Sequence, residues 1–201
     1  MAIKAANDKS MSNITALPSG VSAKSLILLS TFTSDGSDDT ATFASSIDST
    51  YKEYLFVYTG VHPQTDNAEF TVNFRDGSTA YDATKTTTYF NSYHDEADSG
   101  TGVGYNTDMD LAQATGVKNI IQDCGADNDQ AGSGYLCLFD PSSTTFVKHF
   151  YGRSSNAHGG DYAQDIYFAG YCNVTAAIDG VQFKFSSGEI QAGVIKMYGV
   201  V

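Results

Sequence analysis

At 201 residues the chain is long enough for one all-β domain with a proper core. Its 11 Lys and Arg stand against 23 Asp and Glu, a formal charge of −12, and that field repels polyanions and argues against nucleic-acid partners held through phosphates. Aromatics reach 12% as 13 Tyr and 12 Phe with no Trp, beside abundant Ser and Thr, a mixture that suits half-buried strands better than helices.

Residues 1–22 hold Met1 and Met11 as two possible starts, scattered small polar residues and a Leu17-Pro18-Ser19-Gly20 break, with no periodicity that could sustain a helix alone. They read as an extended N-terminal arm. Two readings stand: a loose leader, or a segment that orders on a neighbouring subunit, with Ile3, Ile14, Leu17 and Pro18 as the candidate partner contacts. Residues 25–32 form the first clear strand, apolar on both faces for part of its length, which predicts a central or doubly covered position. In 40–47, Ala41, Phe43 and Ile47 are spaced for one face. Residues 53–60 are the strongest strand, and 69–75, with Phe70, Val72 and Phe74 alternating, are expected to pair beside them.

Residues 86–93 are β-prone and lead into a Gly- and Asp-rich stretch, 95–110, read as a long surface loop. Gly116 interrupts any helix in 111–121, whose second half is assigned as strand. After a loop at 123–133, residues 134–139 and 144–152 make a hairpin around Asp140-Pro141-Ser142-Ser143, with Phe146, Lys148 and Phe150 on one face and Val147, His149 and Tyr151 on the other. Strands at 165–174 and 181–185 follow, then a Ser186-Ser187-Gly188 turn and a closing strand in which Ile190, Val194 or Ile195, and Met197 are apolar. The total is about nine or ten strands, the pattern of an antiparallel, jelly-roll-like β-sandwich spanning 23–201 as a single domain.

The chemistry-bearing residues are dispersed. Asp35, Asp38 and Asp39, then Asp95, Glu96 and Asp98, then Asp123, Asp127 and Asp129 read as solvated acidic loops, since the spacing after Asp123 lacks the central Gly and terminal Glu of a calcium loop. His62, His94, His149 and His158 have no metal-ligand spacing. His158 is expected in an exposed loop, with the lining of a shallow site as the alternative. No Gly-x-Ser-x-Gly elbow occurs, and Gly100-Thr101-Gly102-Val103-Gly104 lacks the Lys of a phosphate loop. The expectation is no catalytic residue, no cofactor and no metal. Tyr89, Tyr93 and Tyr105 lie beside polar loops, so Tyr93, Tyr105 and His158 form a candidate ligand loop for sugar rings.

Cys124, Cys137 and Cys172 cannot all pair within one chain, and free thiols in a reducing compartment are expected. No run approaches the roughly 18 apolar residues of a membrane span, and the N-terminus lacks a secretory signal pattern. The Asn13 and Asn173 sequons therefore carry no weight. The reading is a soluble protein made in a cytoplasm, without a membrane partner.

Three stretches taken together resemble a family of small β-rich virion structural proteins of tailed, particularly marine, bacteriophages. They are Tyr54-Leu55-Phe56-Val57-Tyr58 through His62-Pro63-Gln64 to Phe70-Thr71-Val72-Asn73-Phe74, then Phe139-Asp140-Pro141-Ser142-Ser143 to His149, then Ser186-Ser187-Gly188-Glu189-Ile190 with Gly193-Val194-Ile195-Lys196-Met197-Tyr198-Gly199. The resemblance covers most of residues 25–201 and carries no catalytic signature. It implies a structural role, with a capsid decoration or cement protein on the outer head surface as the leading expectation. The implied partners are the major capsid protein or other virion proteins and further copies of the chain, a symmetric trimer being the expected assembly. The alternative is a tail or fibre component that binds host-surface carbohydrate.

Overall fold

The computed structural model describes residues 25–201. The arm at 1–22, with Ile3, Ile14, Leu17 and Pro18, lies outside the described residues. Among those described, the chain is built of strands without a helix: β1 (Leu26–Thr33), β2 (Ala41–Phe43), β3 (Glu53–Pro63), β4 (Ala68–Arg75), β5 (Lys85–Asp95), β6 (Thr101–Tyr105), β7 (Lys118–Cys124), β8 (Gly132–Phe139), β9 (Lys148–His158), β10 (Tyr162–Cys172), β11 (Gly180–Phe185) and β12 (Ile190–Val200).

Every pairing is antiparallel. The ladders define a long sheet in the order β1-β12-β3-β8-β9-β10-β5-β6 and a short one in the order β2-β11-β4-β7, joined at one corner by a bridge between Cys124 and His158. The quartets β1-β12-β3-β8 and β2-β11-β4-β7 have jelly-roll connectivity, two four-stranded sheets between which the chain repeatedly crosses. Two insertions depart from it. The β5–β6 hairpin follows β4, the β9–β10 hairpin follows β8, and both extend the long sheet. That sheet therefore runs wider than the short sheet opposite it. Its first and last strands lie side by side, with Leu26 opposite Val200 and the Val201 amide donating to the Ser25 carbonyl at 3.0 Å.

The layers meet over an aromatic core. Phe183 of β11 reaches Phe43, Phe56, Tyr58 and Phe70 at centroid distances of 6.1, 5.7, 6.3 and 5.9 Å, so one ring touches β2, β3 and β4 at once. The Tyr58 hydroxyl shares a 2.5 Å hydrogen bond with Ser154 in the interior, and burial pushes its pKa up. Tyr58→Phe leaves the Ser154 hydroxyl without that partner, and is expected to cost about 1–2 kcal/mol in denaturant unfolding.

Lys85, Lys118 and Lys148 are fully buried with no carboxylate in ion-pair range among the described residues. Each ammonium instead donates to loop carbonyls: Lys85 to Gly116 at 2.7 Å, Lys118 to Met109 at 2.6 Å, Lys148 to Val174 at 2.7 Å. Lys118 also lies 4.7 Å from the centre of the Tyr89 ring. Burial lowers all three, Lys118 to about 7 and Lys85 to about 8. These side chains pin connections onto the sandwich.

The strands at 53–60, 86–93 and 181–185 fall where alternation predicts, while several expectations are corrected: of 40–47 only Ala41–Phe43 is strand, with Ile47 buried beyond its end. β1 is an edge strand of the described sheet, with Leu28 53% exposed, because its apolar residues face outward as well as inward. β3 and β4 do not pair. Each lies in a different sheet and they meet through Tyr58 and Phe70 at 5.5 Å. The Ser186-Ser187-Gly188 turn is likewise a crossover between sheets: β11 pairs with β2 and β4, and β12 with β1 and β3. Gly188 has a φ of 68°, a left-handed conformation that suits glycine. Ile190 and Ile195 share the buried face despite their odd separation because the β12 register shifts around Gly193, where a φ of 129° and the 2.8 Å that would separate an added Cβ from Val61 Cα exclude a side chain.

The supposed loop at 95–110 contains β6, and the loop at 123–133 is shortened by β7 and β8. The hairpin after residue 134 is real, but its second strand begins at Lys148, leaving Phe146 70% exposed in the connection, and it continues to His158. Lys148 and Phe150 do share the buried face. The cysteines are free and buried.

Candidate functional site

The inserted hairpins create two surfaces, one on each face of the widened sheet. On its inner face, register sets Gly102, Tyr93, Gln164, Asn156 and Gly132 in one row across β6, β5, β10, β9 and β8, with β7 of the short sheet lying over Asn156 and Gly132. A groove of about 510 Å³ opens over β6, β5 and β10, and Tyr93, Tyr105 and His158 all line it, together with Tyr162, Asn91, Asn106, Gln122 and Gln164. The three residues of the predicted ligand loop thus come together, though on three strands and not on one loop.

Each wall has a local cause. The Tyr93 ring lies across Gly102, where an added Cβ would sit 2.7 Å from the ring, so glycine on the edge strand makes room for the aromatic beside it. Tyr162 starts β10 after a turn in which Asp161 takes a left-handed φ of 62°, and its ring packs 5.7 Å from Tyr93 and 5.0 Å from His158. Tyr105 donates its hydroxyl to the Asp110 carboxylate, and that bond raises the phenol pKa. Tyr89 is excluded from this set: it is fully buried in the core.

His158 is not an exposed loop residue. It closes β9, and its side chain is 15% exposed. Its Nδ1 accepts the Gly160 amide at 2.8 Å, so Nε2 carries the proton and points to Asp123 Oδ2 at 3.3 Å. With both nitrogens engaged, the imidazole is a wall of the groove. Among the described residues, no three His, Cys, Asp or Glu side chains gather as a metal ion would require. His62 contacts the Gln130 carbonyl and His94 contacts Asp98, each in its own neighbourhood. Burial pushes the Cys124 and Cys172 thiols up to about 12 and Cys137 to about 11, which suits packing and not nucleophilic work.

The acidic loops are internally bonded. Asp35 accepts the Ser37 hydroxyl at 2.7 Å and its amide at 3.0 Å, Asp95 accepts the Ser99 hydroxyl at 2.5 Å and its amide at 2.7 Å, and these bonds, the hydroxyls first, lower both carboxyl groups.

On the outer face, register aligns Tyr135, Arg153, Tyr167 and Phe90 across β8, β9, β10 and β5, and Tyr105, opposite Phe90 on the edge strand β6, borders both this row and the groove. Phe90 and Tyr167 stack at 5.0 Å with their planes 4° apart, and the Arg153 guanidinium lies 4.9 Å from the Tyr167 ring while gripping Asp165 through two bonds of 2.7 and 2.8 Å. Phe90 is 45% exposed and Tyr105 53%. One strand position further along, Tyr151 is also open to solvent and stacks on Phe139 at 5.5 Å. Sequence reasoning missed this row. The signal was the aromatic at alternate positions of 90, 135, 151 and 167, but only pairing shows that these residues meet. Compared with known proteins, the chain matches no family model and no curated protein.

Proposed function

We propose that this protein is a non-enzymatic structural component of a tailed-bacteriophage virion, a decoration or cement protein on the outer surface of the head. The observation that carries this reading is the outer aromatic row. Rigid aromatics interleaved with Arg concentrate binding energy at protein interfaces, and a contiguous exposed patch of them marks an interaction surface. Three further features support it. The sequence resembles phage virion proteins in the stretches quoted above, the jelly roll is an architecture used by capsid proteins, and the charge of −12 disfavours contact with packaged DNA.

In this reading the partner is the major capsid protein or another virion protein. The chain is synthesised in the host bacterial cytoplasm and assembles as a homo-oligomer, a trimer, whose affinity grows by multivalent display. Heads lacking the protein, incubated with it and imaged by electron microscopy, should acquire a regular outer lattice. Tyr167→Asp or Phe90→Asp should lower occupancy by about tenfold or more without loss of cooperative melting. Density confined to the tail, or unchanged occupancy of both variants, would overturn the proposal. Deletion of residues 1–22 is expected to abolish incorporation while the remaining chain still melts cooperatively; normal occupancy would exclude the arm as a contact.

A further inference from the structure

The groove on the inner face holds an unmet hydrogen-bonding demand. Gln164 is 6% exposed, lines the groove, and its Oε1 has no hydrogen-bond partner. Directly opposite it in the ladder, Asn156 is 5% exposed, and although its Nδ2 donates to the Gln122 carbonyl at 3.2 Å, its Oδ1 is also unpartnered. Buried amide oxygens are rarely left unpaired, because each forfeits its bond to water and gains none in return. Asn156 lies behind the groove and Gln164 lines it, so Gln164 Oε1 calls for a ligand that brings a donor.

We propose that this groove binds a neutral carbohydrate, one or two sugar units of a glycan. Sugar hydroxyls donate to amide oxygens and accept from amide nitrogens, and Asn91, Asn106 and Gln122 supply further amides along the same wall. The apolar face of a pyranose needs an aromatic surface, which Tyr93, 40% exposed, and Tyr162 provide at the other wall. Among the described residues, the lining contains no Asp, Glu, Lys or Arg, and its one ionisable ring besides the phenols, His158, has both nitrogens engaged. An ionic ligand has no counter-charge there, and a polyanion also meets the overall charge of −12. A volume of about 510 Å³ lies within the usual range for small-ligand sites. This site opens on the opposite face from Arg153, Tyr167 and Phe90 and shares only the edge residue Tyr105 with their row, so it goes beyond the decoration reading and does not rest on it.

The test is saturation-transfer NMR on the full chain with glucose, galactose, mannose, N-acetylglucosamine, lactose and maltose, each at about 10 mM, a concentration that reveals millimolar binding. At least one sugar should give transfer. Tyr93→Ala and Gln164→Leu should weaken it by about tenfold or more, and Tyr167→Ala on the outer face should leave it unchanged. Gly104→Trp guards against misfolding of the buried variant: an added Cβ at Gly104 meets nothing within 4 Å, so the indole fills the groove without disturbing the sheet. It should abolish transfer with an unchanged melting temperature. Absence of transfer from all six sugars, or transfer that survives both Tyr93→Ala and Gly104→Trp, overturns the proposal.

Discussion

Phe183→Ala is expected to remove about 3–5 kcal/mol of stability, a large share of the 5–15 kcal/mol typical of a folded domain. Phe183 is fully buried and its ring is shared by Phe43, Phe56, Tyr58 and Phe70, which belong to three strands of the two sheets. Truncation leaves a cavity that none of those rings can enter without abandoning another contact, so relaxation recovers little. For a chain of this size the melting temperature should fall by roughly 10–15 °C, and Phe183→Leu, which keeps most of the volume, should lose far less. Urea unfolding monitored by circular dichroism measures both. A loss below about 1 kcal/mol for Phe183→Ala would mean that the two sheets do not depend on one shared core.

The second large effect is on pH dependence. In the folded chain burial lowers Lys118 to about 7, with Asp110 opposing the shift, and Lys85 to about 8. Unfolded lysines hold their protons to about 10.4. Between these values the unfolded chain holds more protons on these lysines, which by themselves raise stability by about 2 kcal/mol from pH 7 to 8.5. Unfolded thiols begin to ionise near 8.5. The folded Cys124 and Cys172 stay protonated to about 12 and Cys137 to about 11, so the thiols then oppose the lysines. Three thiols outnumber the two lysines, so the rise should level off at about pH 8.5 and reverse above it. Urea midpoints at pH 7, 8.5 and 10.5 trace the profile, and Lys118→Met should flatten its rising limb. A flat profile in the native chain, or an unchanged limb in the variant, would show that Lys118 keeps its charge through bonds to the Met109 carbonyl and the Tyr89 ring.

The fold class was legible because period-two burial is written into segments such as Tyr54, Phe56 and Tyr58, or Phe70, Val72 and Phe74. Alternation gives a strand and its faces but not its neighbour, which explains why β3 and β4 were expected to pair when they face each other across the core. Polar strands were the harder case. Residues 153–158, Arg-Ser-Ser-Asn-Ala-His, and 101–105, Thr-Gly-Val-Gly-Tyr, carry little apolar signal, and both are ordered by hydrogen bonds to β10 and β5. Since 102–105 and His158 line the groove, Tyr93, Tyr105 and His158 could be suspected one by one while the amide of Gln164 could not. Its importance depends on a row that only cross-strand register creates.

The adjacency of Ser25 and Val201 at one corner of the long sheet sets how the domain bears load. Tension applied through these two residues pulls β1 and β12 apart from a shared end, so their ladder is unzipped a pair of bonds at a time and never resists as a whole. β1 would peel first, because among the described residues it pairs with β12 alone, and the remaining strands would stay folded behind it. A neighbour that grips this corner can draw out the first strand cheaply, whereas one that grips the broad outer face of the sheet must break many bonds together.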